Sequence, residues 1–179
     1  MPNAKGAVLL GLVKFLRKRP DAARDVLPAA QHHYLQEDIR LSGWYPEADF
    51  VELIRAVAKL VPGDYDAAIE HMGLVGARGH AEVYGHLLRS GKSNSSVFAL
   101  WTAQHDTGEL RGVWESPTST RVELVDFAAP SREVCLLSMG YLRGAFQLNG
   151  FDDVVIEKRA CAAQGADRCM WRVTWKPRD

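Results

Sequence analysis

Three cysteines, Cys135, Cys161 and Cys169, are the side chains whose type and spacing are most suited to chemistry. Cys169 opens the run CMWRVTW, in which apolar and polar residues alternate with the period of a half-buried strand, so its sulfur is expected on the core side. Cys161 should face it across the mouth of a hairpin, and Cys135 should enter from the first turns of the preceding helix. Three thiolates that converge in this way suit zinc, which prefers four ligands.

Two interpretations of the cysteines remain open from the residues alone. In the first, Glu157, which shares strand parity with Cys161, or a water molecule completes a zinc site. In the second, which the spacing favours because it is unlike a paired CxxC ribbon, three buried cysteines pack as small hydrophobes. An odd number of cysteines argues against a disulfide framework.

Other catalytic and binding motifs are absent from the sequence. The segment GHLLRSGKS has one residue too many between its glycines for a phosphate loop, and a predicted helix precedes it where a strand is required. The histidines lack the spacing of a zinc protease, and no nucleophile elbow supports a Ser-His-Asp triad. We therefore expect a protein that is not an enzyme.

Aromatic side chains are concentrated in the second half of the chain. Such residues can line a concave apolar pocket and orient a ligand through a polar N–H, although core packing is the better explanation for any single one of them. The residues concerned are Phe98, Trp101, Trp114, Tyr141, Phe146, Trp171 and Trp175.

Length and composition predict one soluble globular domain over residues 1–179. The chain has 47% hydrophobic and 25% charged residues, with 22 basic side chains against 22 acidic ones. This balance gives no electrostatic case for nucleic acid. The apolar run at 7–13 is too short to span a bilayer, and no cleavage site follows it, so we expect no membrane contact and a cytoplasmic location.

The apolar periodicity predicts an α+β fold. Residues 1–90 carry mainly helical spacing, with segments at 50–60, at 64–72 and at 81–88, and the Gly- and Ser-rich run RSGKSNSS separates them from a mixed part at 97–176. That part predicts a hairpin turning at 116–118, a helix capped by Ser131 that runs to about Leu148, and a final hairpin. Helices followed by antiparallel hairpins indicate a helical half packed on an antiparallel sheet.

The segment from VCLLSMGYLRGAF through RACAAQGADRCMW resembles the 4-vinyl-reductase-type domain, a small-molecule-binding module found alone and in bacterial activators that sense aromatic compounds. The resemblance is most specific from Trp114 to Trp175. It implies a zinc site formed by three cysteines, at Cys135, Cys161 and Cys169, and a glutamate. The family's glutamate position holds Lys158 here, so either the strand shifts to let Glu157 substitute or the site has lost its metal.

The resemblance also implies a ligand pocket. In the aromatic sensors a histidine and a tryptophan bind the phenolic hydroxyl, and Trp114 stands at the tryptophan while His86 is a looser match by spacing. With Tyr141 and Phe146 these are the predicted ligand-binding residues.

The same broader fold is similar to heme-nitric-oxide-binding domains and TRAPP vesicle-tethering subunits, and KGAVLLGLVKFL with GWYPEADF resembles the former. Their Tyr-x-Ser-x-Arg motif is missing, and His105 as a lone axial candidate is weak support for heme. The resemblance therefore implies a sensory or scaffolding module that binds a small apolar or aromatic molecule. It also implies a homodimer and a protein partner in signalling, and it leaves open whether the cysteine site holds zinc. A heme gas sensor and a TRAPP-like scaffold without ligand are the alternatives.

Overall fold

The computed structural model describes the backbone of residues 1–88 and 95–177, and the side chains of 1–81 and 98–177. Its helices are α1 (Gly6–Arg17), α2 (Pro20–Val26), α3 (Glu47–Leu60), α4 (Tyr65–Leu88), α5 (Ser95–Gln104) and α6 (Arg132–Leu148). Its strands are β1 (Asn3–Lys5), β2 (Trp44–Pro46), β3 (Glu109–Ser116), β4 (Ser119–Val125), β5 (Asp152–Ala160) and β6 (Cys169–Lys176). Short 3-10 turns occupy Ala29–Leu35 and Ala162–Gln164.

The main sheet is antiparallel, with strand order β3-β4-β6-β5. On β6 the side chains of Cys169, Trp171, Val173 and Trp175 are all buried, and the residues between them are more exposed. This alternation is the one that the sequence predicts, because one face of the sheet packs on α6 and the other meets solvent. The α+β prediction is confirmed.

Helix α6 begins and ends where the sequence predicts. The hydroxyl of Ser131 accepts a hydrogen bond from the backbone N–H of Val134 at 3.1 Å, which satisfies one of the free donors at the helix start. Gly150, two residues after Leu148, has φ +79, a conformation that glycine adopts without a steric penalty.

Helix α4 differs from the sequence prediction, which placed two helical segments at 64–72 and 81–88. One helix of 24 residues covers both. The glycines between them do not break it, because Gly73 lies where α4 meets α6: a Cβ there would be 2.0 Å from the carbonyl oxygen of Leu137. Close backbone contact thus replaces the side-chain packing that the glycine lacks.

The boundaries between the two halves are partly described. The hairpin turn between Ser116 and Ser119 is where the sequence predicts it. Of the predicted Gly- and Ser-rich connection, residues 89–94 lie outside the described part of the chain, and α5 begins at Ser95. Core residues from the helices and from the main sheet form one contiguous apolar cluster. The single domain over 1–179 stays a prediction.

Within the ranges that the structure describes, no helix combines the length and the apolar character needed to cross a bilayer.

The glycine at 140 gives a test of the contact between α4 and α6. A Cβ at this position would lie 1.7 Å from the carbonyl oxygen of Glu70, so Gly140→Ala must push the helices apart and should lower the free energy of unfolding by about 1–3 kcal/mol or more. At Gly76 an added Cβ meets nothing within 4 Å. Gly76→Ala should therefore keep or raise stability, by up to about 1 kcal/mol. Urea unfolding measures both, and equal effects would contradict the close contact.

Candidate ligand cleft and thiol cluster

A cleft of about 680 Å³ opens between α1, α4, α5 and α6. This volume is within the range of small-molecule sites, about 300–1,000 Å³. Apolar side chains dominate its walls, among them Phe50, Val57, Leu110, Leu137 and Leu142. Lys14, His71 and Val75 also line it and are exposed, so the cleft is open to solvent on the side of α1 and α4.

Three glycines widen the cleft. Gly11 of α1 and Gly76 and Gly79 of α4 all line it, and a Cβ built at any of them would meet no atom within 4 Å. Side chains at these positions would reduce the open space between the two helices. The glycines therefore form a cradle along one wall.

A buried histidine and a buried glutamate meet at the wall formed by α3 and α5. His105, directly after α5, lines the cleft, and its Nδ1 lies 2.5 Å from Oε1 of Glu47, the first residue of α3. A carboxylate only accepts, so Nδ1 carries the proton, and in the neutral ring Nε2 keeps its lone pair. The second carboxylate oxygen of Glu47, which is fully buried, has no hydrogen-bond partner among the described residues.

An aromatic neighbour holds the ring of His105 in place. Trp101, one turn earlier on α5, stacks on it with ring centroids 4.0 Å apart and planes at 16°. The indole N–H of Trp101 donates to the carbonyl oxygen of Thr107 at 3.0 Å, which fixes the stacking partner in turn.

The chain next to His105 is fastened to the N-terminal residues. The backbone N–H and the side-chain amide of Asn3 both donate to the carboxylate of Asp106, each at 2.7 Å, and the N–H of Asp106 donates to the carbonyl oxygen of Asn3 at 3.0 Å. Ala4 forms a β-bridge with His105 itself. The segment that carries His105 is thus tied to β1.

A second polar group lies where α4, α5 and α6 approach one another. Nδ1 of His80 is 3.1 Å from the hydroxyl of Tyr141 and 3.3 Å from the side-chain nitrogen of Gln104, and all three residues line the cleft. Burial, with a smaller contribution from the positive charge that His105 can carry, lowers the pKa of His80. Burial also raises the pKa of the Tyr141 phenol above its ordinary range. Both side chains are therefore neutral near pH 7.

Of the three predicted ligand-binding residues whose side chains are described, one lies in the cleft. Tyr141 lines it. Phe146 is buried, but its ring packs against Phe151 and Trp175, with centroids 5.4 and 5.7 Å away. The side chain of His86 lies outside the described residues.

Trp114 does not fit the predicted role. It is 53% exposed and packs edge-on against Trp175, at 5.4 Å between centroids, and it is not part of the cleft lining. The alternation of β3 places Trp114 on the side of the sheet that faces the helices, opposite Thr120. However, Trp114 is near the end of the strand and lies beyond the cleft. Trp114 is outside the cleft because of its position along the strand, and side-chain alternation does not reveal that position.

Sequence reasoning missed two residues that line the cleft, His80 and Gln104, and it missed Glu47, which contacts the cleft residue His105. Glu47 follows Pro46 at a helix start, where a carboxylate is ordinarily a solvated partner of the helix dipole. Only its contact with His105, 58 positions away in the chain, gives it another role.

The three predicted cysteines do converge. Cys135 Sγ lies 3.0 Å from Cys169 Sγ and 3.5 Å from Cys161 Sγ, and all three thiols are buried and free. The sulfur of Cys169 also accepts a hydrogen bond from the backbone N–H of Ala162 at 3.4 Å. Together these groups tie α6 to the final hairpin.

The cluster has an asymmetric charge distribution. The hydrogen bond from Cys135, supported by the Ala162 N–H and the charge on Lys158, lowers the pKa of Cys169 to about 6 against the opposing effect of burial. The same contact with Cys169, together with burial, raises the pKa of Cys135. The contact between Cys135 and Cys169 thus stabilises one negative charge on this pair.

Glu157 is not the fourth member of this cluster. Its side chain is 53% exposed and pairs with Arg159 on the solvent face of the sheet. The pairing of β5 with β6 slips by one residue between Lys158 and Ala160, so that Glu157 and Cys161 no longer share a face. The sequence left open a strand shift that would let Glu157 replace the missing glutamate. The strand does shift, but the shift leaves the carboxylate of Glu157 on the solvent face.

The donor set therefore fits zinc only in part. Three sulfurs within 4.8 Å of one another are suitable ligands. The inward position that a fourth protein ligand would need holds Lys158 instead, whose ammonium form has no lone pair.

Comparison with known proteins identifies the fold. No protein-family model matches the chain, and no curated protein matches it. Solved structures of H-NOX proteins do match. An H-NOX protein from S. oneidensis in the Fe(II)NO ligation state aligns with a TM-score of 0.70 at 15% identity, over 97% of this chain and 99% of that one.

Two further structures agree with this match. The SO2144 H-NOX domain from Shewanella oneidensis in the Fe(II)CO ligation state gives a TM-score of 0.69 at 15% identity, over 97% and 99% of the two chains. A structure that probes heme distortion in the H-NOX family gives 0.70 at 12% identity, over 97% and 95%. At these identities the likeness shows a shared fold, which is the fold class that the sequence predicts.

The lowered pKa of His80 predicts a pH dependence of stability. The unfolded chain takes up a proton on this histidine near pH 6.5, whereas the folded chain resists it, so the free energy of unfolding should fall as the pH drops below about 6.5. His80→Asn should flatten the curve in that window. The exposed His33 supplies the control, since His33→Asn should keep the wild-type slope. Parallel curves for all three proteins would contradict the neutral, buried state of His80.

Proposed function

We propose that this chain is a non-enzymatic sensory domain that binds a small apolar molecule in the cleft between α1, α4, α5 and α6. The observation that carries the proposal is the cleft itself, an open apolar space of about 680 Å³ in the interior of the helical layer. A TRAPP-like scaffold would have a filled core at this place, so the cleft counts against that alternative.

The polar groups of the cleft support binding over catalysis. Glu47 is engaged with His105, and His80 is engaged with Tyr141 and Gln104. Ser138, the one serine in the described lining, donates its hydroxyl hydrogen to the carbonyl oxygen of Val134 at 2.8 Å and is not hydrogen-bonded to either pair. Groups paired in this way orient a ligand and satisfy its few polar atoms.

Heme is the ligand that one specific observation favours. A buried histidine at the cleft whose Nδ1–H is held by a carboxylate is the arrangement that orients an imidazole and raises its basicity as a metal ligand. The glycine cradle of Gly11, Gly76 and Gly79 leaves space beside it for a flat molecule. When bound, heme would supply an iron position for a diatomic gas.

The chain's own residues would have distinct tasks in such a complex. Glu47 keeps the proton on Nδ1 of His105 and so presents Nε2 as the donor atom. Trp101 fixes the plane of the imidazole by stacking on it. His80 and Tyr141 supply neutral hydrogen-bonding groups elsewhere in the same cleft, and Lys14 offers a positive charge at the open side.

An apolar or aromatic molecule without a metal is the second candidate. The Tyr-x-Ser-x-Arg motif that belongs to heme-nitric-oxide-binding domains is missing here, and most of the lining is hydrocarbon. Either ligand would act by the same route, because its burial would favour one packing of α1 and α4 against the rest of the domain. We propose that a second copy of the chain or a signalling protein in the cytoplasm senses that change.

Hemin titration of the purified protein tests the proposal. A Soret band that saturates with hemin is expected for the wild type, and His105→Ala should abolish it, with recovery on addition of imidazole. His33 is exposed and does not line the cleft, so His33→Ala should bind hemin as the wild type does. Native mass spectrometry of the same preparations reports any retained small molecule and the number of copies.

The apolar dye anilinonaphthalene sulfonate separates the two ligand classes. Dye binding that Gly76→Leu and Gly79→Leu block, without any hemin binding that depends on His105, would leave an apolar-ligand sensor and remove heme. Absence of both dye and hemin binding from a folded wild type would overturn the proposed function.

The role of Glu47 gives a separate prediction. Loss of a carboxylate that supports a metal-ligating histidine typically weakens metal binding about 10–100-fold. Glu47→Gln should therefore weaken hemin binding by about this factor and shift the absorption spectrum of the complex. Glu52→Gln, on the same helix but paired with Arg55 at the surface, is the matched control and should change neither. Identical spectra for both variants would show that Glu47 does not act through His105.

A further inference from the structure

Lys158 lies on the core side of β5, next to the thiol cluster. It follows Val154 and Ile156 in the alternation of that strand, and both of these residues are buried. In the antiparallel pairing it stands opposite Trp171 of β6. Side chains directly opposite share a face, so Lys158 is on the same face as Trp171 and as Cys169, two residues further along.

The side chain of Lys158 reaches the sulfurs from this position. The charge of Lys158 interacts with all three cysteines, and these interactions favour its charged form against the opposing effect of burial. Lys158 is partly buried, as expected for a side chain that covers apolar surface with its carbon stem while its charged end stays polar. The cluster therefore contains a cation that belongs to the chain.

We propose that Lys158 is the counter-ion of the three cysteines. It occupies the position of the fourth zinc ligand, and its positive charge replaces that of the metal. The wild-type cluster therefore holds α6 to the final hairpin without zinc. The inference concerns this cluster alone and is independent of what the cleft binds.

Charge and coordination chemistry both support this assignment. An ammonium group donates hydrogen bonds and has no lone pair for a metal. A divalent cation brought among the sulfurs would also meet the positive charge of Lys158 in a poorly hydrated site, where repulsion is stronger than in water. Three sulfurs with an added lysine charge thus suit thiolate stabilisation better than tetrahedral zinc binding.

Replacing the lysine by a metal-binding side chain tests the proposal. Lys158→His places an imidazole on the core face, and Glu157→His places one on the solvent face as the matched control. The wild type, both variants and Cys161→Ser are purified with zinc in the medium, and zinc per chain is measured by elemental mass spectrometry. Circular dichroism confirms that each protein is folded.

We expect stoichiometric zinc only in Lys158→His, accompanied by a melting temperature that falls when a chelator is added. The wild type and Glu157→His should carry little zinc and melt at the same temperature with and without chelator. Stoichiometric zinc in the wild type that is lost in Cys161→Ser would overturn the proposal. A folded Lys158→His protein without zinc would overturn it too, because Lys158 would then not be what excludes the metal.

Discussion

The direct backbone contact between α4 and α6 is the constraint on which the rest of this structure depends. Gly140 lies against the carbonyl oxygen of Glu70, and Gly73 lies against that of Leu137, so neither position has room for a side chain. The contact sets the distance between Tyr141 on one helix and His80 on the other. It also holds the helix that carries Cys135 above the sheet. The geometry of both candidate sites therefore depends on the same two glycines, Gly73 and Gly140.

The two sites occupy different ends of that arrangement and have opposite character. The cleft is open and mostly apolar, with polar groups that are already paired with one another. The thiol cluster is buried and polar, with three sulfurs in close contact and the charge of Lys158 acting on all of them. A ligand can exchange at the first site. The second is suited to holding the hairpin in position while the helices of the cleft adjust.

The sequence predicted the parts of the fold that depend on local pattern. Alternation placed Cys169 on the inner face, the Ser131 cap placed the start of α6, and hairpin spacing gave the antiparallel sheet. The failure at Glu157 has a physical cause, since a one-residue slip in β5 reverses the side-chain parity that the prediction used.

The cleft was beyond prediction for a different reason. Its defining contacts, such as that between Glu47 and His105, join segments far apart in the chain, and neither residue has a local signature. Trp114 shows the converse case, because a tryptophan on the correct face of a strand still lies outside the cleft. Periodicity reports the face of an element but not the depth of a residue within the fold.

The fastening of Asn3 to Asp106 gives the N-terminal residues a mechanical role. Any displacement of the histidine beside Asp106 would pull on β1, and β1 continues directly into α1, which forms one wall of the cleft. The opening residues thus connect the segment that carries His105 to the helix on the other side of the cleft. Replacing Asn3 would remove this connection, although Asn3 itself does not line the cleft.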